Sequence, residues 1–200
     1  MSDPRILLRR QLRQARRALT PREQRTASEQ LLRQLVHHPL FRRSRHIAFY
    51  LANDGEIDPH LLMQRARELG KHCYLPVLRR WPANQMHFQR LRPGQRWTTN
   101  RYGIREPRPD PRWQVSPWRL DLVLMPLVGF DARGNRLGMG GGYYDRMFAY
   151  RRTREHWPGP RLLGLAHHCQ KVDPLPVAPW DVPLDGIVSD QQIILLQANG

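Results

Sequence analysis

Apolar residues recur at helical spacing at Leu8, Leu12, Ala15 and Leu19, which predicts an amphipathic helix over Arg5 to Leu19. Thr20-Pro21-Arg22-Glu23 then has the form of a capping box with proline at the first helical position, and opens a second helix that stops near His37, ahead of Pro39. Beyond it the pattern shortens. Arg45 to Leu51 (RHIAFYL) is rich in β-branched and aromatic residues and predicts a strand. The loop Ala52 to Asp58 follows, Asp58-Pro59 starts a helix ending at Gly70, and His72 to Leu78 is a second strand. Leu120 to Val128 is nearly continuous apolar, as a strand buried on both faces should be, and Pro126 marks its C-terminal end. After a glycine-rich turn, Tyr143 to Arg152 reads as a helix, and Leu162 to Ala166 and Gly186 to Val188 as short strands. Arg79 to Trp118 is dense in Pro, Trp and Arg, and its pattern supports only one strand, Met86 to Leu91.

Strands alternating with helices predict an α/β fold, a mostly parallel sheet flanked by helices on both faces in a Rossmann-like three-layer arrangement. The 200 residues suit a single domain spanning the chain, and no repeat or low-complexity tract divides it.

Composition adds one unusual feature. Lys and Arg outnumber Asp and Glu to a net charge of +16, nearly all of it arginine, since Lys71 and Lys171 are the only lysines. Such a field attracts polyanions without choosing among nucleic acid, nucleotide and polycarboxylate. Cys73 and Cys169 lie far apart, outside any disulfide or zinc pattern, and Cys73 sits in an apolar run as core filling. Met1 to Arg17 lacks the apolar stretch of a signal peptide, and no segment reaches membrane-spanning length, so a cytoplasmic setting is expected.

The chemistry concentrates between Phe130 and Asp145. Glycines at 138, 140, 141 and 142 let the backbone approach an anion and turn several N–H groups inward. A helix starting near Tyr143 adds its positive end, and Arg136 and Arg146 bracket the turn. Asp145 is placed to hold a magnesium ion bridging phosphate oxygens. The turn lacks Gly-Lys-Ser/Thr, so it is not a P-loop, and its spacing differs from G-x-G-x-x-G. A ligand-free glycine hairpin is the plain alternative, and the strand–turn–helix order weighs against it.

Asn135-Arg136-Leu137-Gly138-Met139-Gly140-Gly141-Gly142-Tyr143-Tyr144-Asp145 closely resembles the signature of the 5-formyltetrahydrofolate cyclo-ligases, also called methenyltetrahydrofolate synthetases. The resemblance extends over almost the whole chain: the arginine-rich opening helix, the Glu56 loop, the Asp121-to-Asp131 strand and the tail from Pro179 to Asp185. It implies Mg-ATP-dependent closure of 5-formyltetrahydrofolate to 5,10-methenyltetrahydrofolate, with ADP and phosphate released. In the implied mechanism the formyl oxygen takes the γ-phosphoryl group, N10 attacks the activated carbon, and phosphate leaves.

Carried over residue by residue, the resemblance places Arg136, Leu137, Gly138, Met139, Gly140, Gly141, Gly142, Tyr143 and Tyr144 on the ATP phosphates, with Met139 to Tyr143 also facing the folate. It adds Arg5 and Arg9 as ATP contacts, with the helix's other arginines read mostly as a solvated face. Arg136, Tyr144 and Asp145 are the implied catalytic residues, Asp145 and Asp185 the magnesium ligands, and Leu51, Glu56 and Tyr102 the folate contacts. Glu56 suits a pterin because a carboxylate accepts two parallel N–H bonds. Two departures stand out: Met139 and Gly141 occupy positions that are basic in some members, and Ala166-His167-His168-Cys169-Gln170 replaces an aromatic and an acidic residue. Adjacent strand histidines point to opposite faces, which speaks against a shared metal.

A nucleic-acid-binding protein is the rival from another class, supported by the charge, the arginine helix and 6 tryptophans, but no helix-turn-helix, zinc or RRM signature accompanies them. A non-catalytic folate binder would keep Glu56 and lose the glycine turn; this chain has both. The expected partners are therefore folate and ATP, with a monomer as the expected state.

Overall fold

The computed structural model describes residues 3–152 and 159–196. Helix α1 (Pro4–Arg17) starts where the Asp3 carboxylate accepts the Arg5 amide, and it ends before the expected Leu19. Helix α2 (Pro21–Val36) carries the anticipated capping box, Thr20 and Glu23 each bonding the other's backbone amide. A short α3 (Pro39–Arg43) leads to strand β1 (His46–Ala48), the loop 49–59, helix α4 (His60–Glu68) and strand β2 (His72–Leu78).

The region that resisted pattern reading is an antiparallel elaboration. Strand β3 (Met86–Arg90) turns back along β2, β4 (Trp97–Thr99) and β5 (Arg105–Pro107) form a separate hairpin, and β6 (Gln114–Val115) pairs with β3. Then β7 (Leu122–Pro126) enters the sheet, and β8 (Gly129–Phe130) and β9 (Arg136–Leu137) make a small ribbon ahead of the glycine turn. Helix α5 (Tyr143–Met147) is shorter than expected; a 3-10 turn over Ala149–Arg152 replaces its second half. Strands β10 (Arg161–Ala166), β11 (Gly186–Ser189) and β12 (Ile193–Leu195) complete the order.

The main sheet has 8 strands in the order β12-β11-β10-β7-β1-β2-β3-β6. The stretch from β11 to β2 is parallel, and β12, β3 and β6 extend it antiparallel. Alternation along β7 shows why this strand reads as continuous apolar. Leu122 and Leu124 pack in one core with Phe41, Leu31 and Leu62 of the α2–α4 layer, while Val123 and Met125 pack in a second core with Phe130 and Phe148. Helices α2 to α4 cover the first face. The second is covered by α5, 3-10 turns and loops rather than by long helices, because Phe148 and Leu184 supply its apolar cover from short segments. Cys73 is buried in the first core, and burial pushes its thiol up to about 11, as core filling implies.

Connectivity also fixes where a ligand can sit. From β1 the chain moves outward through β2, then returns to β7 on the other side of β1 and continues outward to β10 and β11. The order therefore reverses between β1 and β7, and the connections leaving their carboxyl ends diverge and open a crevice there. Among the described residues no helix is long and apolar enough to cross a membrane.

Candidate active site

A cleft of about 530 Å³ lies at that switch point. Tyr50 and Leu51, just past β1, Pro76 and Leu78 of β2, and Pro126 at the end of β7 line its floor. Asn53, Asp54 and Glu56 come from the loop after β1, Asn100, Tyr102 and Glu106 from the β4–β5 hairpin, and Arg13 and Arg17 from α1. Arg136 and the turn residues Gly138, Met139, Gly141, Gly142, Tyr143, Tyr144 and Asp145 close the remaining wall.

The glycine turn needs its glycines. Gly140 (φ 97°) and Gly142 (φ 62°) hold left-handed backbone, and a side chain at Gly142 would meet the Arg146 guanidinium. Met139, Gly140 and Gly141 are exposed, so their amides remain open to an anion. With α5 only 5 residues long, the helix end contributes less field than expected, and the turn's own amides carry the anion-binding capacity.

Helix α1 crosses the same region and corrects the reading of its arginines as a solvated face. Arg9 Nε donates to Gly138 O at 2.9 Å. Arg5 makes a two-pronged pair with Asp181, at 3.0 and 3.1 Å, and lies outside the cleft lining. Arg13, Arg16 and Arg17 all converge on Asp54. The convergence depends on the turn Asn53-Asp54-Gly55, in which Asp54 itself takes a left-handed φ of 55° and Gly55 lies against the α1 backbone. Burial alone would raise the Asp54 carboxyl, but hydrogen bonds from Arg13, Arg17 and Arg16 outweigh it and hold it below its ordinary value.

Glu56 faces the opposite balance. Burial pushes its carboxyl up to about 7, against the pull of Arg16 and of the Asn53 amide at 3.1 Å. The phenols of buried Tyr50 and partly buried Tyr144 feel the Glu56 charge as well as desolvation, and both are pushed up, so both stay neutral donors. Tyr50 donates to Ile57 O at 2.6 Å, which fixes the Glu56 loop against β1. At the mouth, the Tyr102 and Tyr143 hydroxyls meet at 2.9 Å with their rings edge to face.

Arg136 and Asp145 form an ion pair in the cleft wall, and the Asp145 Oδ1 that accepts from Arg136 also accepts the Val182 amide. Both bonds use one oxygen, which leaves Oδ2 for a cation. The described residues contain no group of three or more acidic, His or Cys side chains able to hold a metal, so a cation beside Asp145 would need further ligands, such as phosphate oxygens and water. Asp145 fits that arrangement. Asp185 does not: it accepts from Arg151, Arg161 and the Leu162 amide at the amino end of β10, the end of the strands opposite the cleft. Leu137 is likewise withdrawn, buried with Leu12, Val128 and Leu175, and offers the site only backbone. His167 and His168 follow the end of β10, His167 as the cap of a 3-10 turn, so the pair is not on a strand at all.

Of the expected site residues, the cleft thus gathers Leu51, Glu56, Tyr102, Arg136, Gly138, Met139, Gly141, Gly142, Tyr143, Tyr144 and Asp145, with Gly140 on its rim beside Arg9. Sequence reading missed Arg13, Arg16, Asp54 and Tyr50. The Asn53-Asp54-Gly55 turn was the available signal.

The sequence profile of the 5-formyltetrahydrofolate cyclo-ligase family matches residues 2–190. The chain is 38% identical over 184 residues to the 5-formyltetrahydrofolate cyclo-ligase of Escherichia coli K12, covering 91% of this chain and 98% of that protein. It is 36% identical to the Haemophilus influenzae enzyme of the same name, over 90% and 95% of the two chains. Its fold superposes on the NMR structure of Aquifex aeolicus 5,10-methenyltetrahydrofolate synthetase with a TM-score of 0.81 and 29% identity, covering 96% of this chain and 93% of that one. With its cleft at the switch point and its signature turn forming one wall, the chain belongs to the 5-formyltetrahydrofolate cyclo-ligase family and is an enzyme of that family.

Proposed function

We propose that this enzyme uses Mg-ATP to cyclise 5-formyltetrahydrofolate to 5,10-methenyltetrahydrofolate, releasing ADP and phosphate. The observation that carries the reading is that Glu56 and the glycine turn, remote in sequence, line one cleft. The Glu56 carboxylate accepts two parallel N–H bonds from the pterin, and Leu51 packs against the ring. The amides of Gly138 to Gly142 receive the phosphates, with Arg9 holding the turn from behind. Arg136, fixed by Asp145 and by Val182 O at 3.3 Å, presents positive charge to the oxygens of the phosphoryl group in transfer. Magnesium, when bound at Asp145, neutralises phosphate charge.

Chemistry then needs positioning more than a strong base. The formamide oxygen attacks the γ-phosphorus and ADP leaves; N10 attacks the carbon of the resulting N5-iminium phosphate, its proton passes to the phosphate or to water, and phosphate departs with the C–O electron pair. The neutral hydroxyl of Tyr144, held beside Glu56, can donate to oxygen without competing as a base. Mixing purified protein with Mg-ATP and 5-formyltetrahydrofolate should produce the near-ultraviolet absorbance of the methenyl product. Folded protein that gives no ATP-dependent signal contradicts the proposal.

A further inference from the structure

Arg16 is fully buried, and its guanidinium reaches three segments around the cleft: the loop after β1, the end of β7 and the glycine turn. Nε donates to Asp54 O at 2.8 Å and Nη1 to Leu127 O at 3.1 Å. Nη2 donates to Asp54 Oδ2 at 2.9 Å, lies 3.6 Å from Met139 Sδ in the glycine turn, and stands 3.7 Å from Glu56 Oε1. Gln24 clamps the same junction, donating to both Arg16 O and Gly55 O. A buried cation is costly unless it is paired and its donors are used, and here the pairing spans the end of β7, the loop after β1 and the turn.

We propose that Arg16 is a positioning residue that favours the ionised form of the Glu56 carboxylate and aims it into the cleft while fixing Met139, so that the two substrate subsites are assembled around one buried charge. The inference rests on the functional reading above for the identity of the two substrates. Its electrostatic part follows from the cluster itself. Arg13, Arg16 and Arg17 face Asp54 and Glu56, so the group carries excess positive charge whether or not Glu56 is protonated, and ionisation of Glu56 relieves it. The other groups around Glu56 are neutral donors or backbone: Tyr50 after β1, Tyr144 of α5, the Asn53 amide, and the His167 imidazole, which lies against the Gly55 and Glu56 backbone. Arg16 is the member of the cluster that reaches both carboxylates and the turn.

The test uses full-length Arg16→Met and Arg16→Lys proteins. Carbon-13 labelled glutamate resolves the Glu56 carboxyl by NMR, with Glu56→Gln as the assignment control. The midpoint of its titration should rise by about one unit or more in Arg16→Met and by less in Arg16→Lys, which keeps the charge. In turnover, the KM for 5-formyltetrahydrofolate should increase about tenfold in Arg16→Met at neutral pH, and the deficit should shrink as pH rises and Glu56 ionises. Because Met139 loses its anchor, the KM for ATP should rise in both variants at every pH. An unmoved Glu56 midpoint, or a folate defect of equal size at all pH values, overturns the proposal. If Arg16→Met does not fold, Arg16→Lys alone decides, since a Glu56 midpoint and an ATP KM both equal to wild type contradict it. Wild-type protein without turnover would count against the functional reading, while the NMR midpoint still judges the role of Arg16.

Discussion

Arg9 on the opening helix donates from Nε to the carbonyl oxygen of Gly138 at 2.9 Å, across 129 residues of sequence. The contact makes α1 the rear support of the glycine turn, so under the proposed function the arginine helix acts on the nucleotide through the turn. Arg9→Ala removes a charged donor worth roughly 1.5–3 kcal/mol. The expected result is a KM for ATP raised about tenfold or more with a smaller change for folate, checked by steady-state kinetics.

The turn itself depends on backbone that side chains disfavour. Gly140 has a φ of 97°, beside the Arg9 guanidinium. Gly140→Val forces a branched residue into that region at a cost of about 1–3 kcal/mol and places methyl groups where the phosphate should sit. ATP binding measured by titration calorimetry should be lost while folate binding persists. Unchanged ATP affinity would remove the turn from the mechanism.

Glu56 predicts a pH signature in stability. Its folded-state carboxyl is raised from 4.5 to about 7, so the folded protein binds a proton more tightly than the unfolded chain. The sign follows: Glu56 lowers stability progressively as pH rises from 4.5 to about 7, and the penalty is full above that window. The size is on the order of 3 kcal/mol at alkaline pH. Glu56→Gln should therefore be more stable than wild type at high pH, with the difference fading below about pH 4.5, in urea unfolding at several pH values. A difference that does not vary with pH would contradict the burial of this acid.

The two carboxylates marked for magnesium separate cleanly. Asp145→Asn should raise the magnesium concentration needed for half-maximal turnover and lower kcat, because the group left facing the phosphate carries no charge. Asp185→Asn should leave that concentration unchanged and instead lower the unfolding temperature, since Arg151 and Arg161 lose their shared partner. Magnesium titrations of activity together with thermal melts distinguish the two. Equal magnesium defects would return Asp185 to the site.

How much of this was written legibly in the chain differs from place to place. The β7 run and the capping box of α2 declared themselves because local pattern and tertiary environment agree there: Leu122 to Met125 are buried on both sides, and Thr20 and Glu23 satisfy each other without outside help. The glycine turn was legible because unusual backbone demands unusual residues. Arg16 was not, since an arginine buried by distant partners has the same local spacing as one in water, and only the fold brings Asp54 and Leu127 to it. The segment from Arg79 to Trp118 failed for a related reason. Its strands run antiparallel at a sheet edge or in a separate hairpin, several of them short and half exposed, so no periodic apolar face marks them. Resemblance carries the identity of Asp185 but not the end of the sheet on which it lies, where its carboxylate is taken up by Arg151, Arg161 and the Leu162 amide.

Under the proposed function, the glycine turn and Glu56 bring a triphosphate and a pterin together in one cleft. A crystal structure with a non-hydrolysable ATP analogue, magnesium and 5-formyltetrahydrofolate tests it most directly. Phosphate oxygens should lie within hydrogen-bonding reach of the Gly138 to Gly142 amides, and the pterin should pair to Glu56 with its formyl oxygen facing the γ-phosphorus. Nucleotide bound away from the turn, or a pterin that leaves Glu56 untouched, would contradict it.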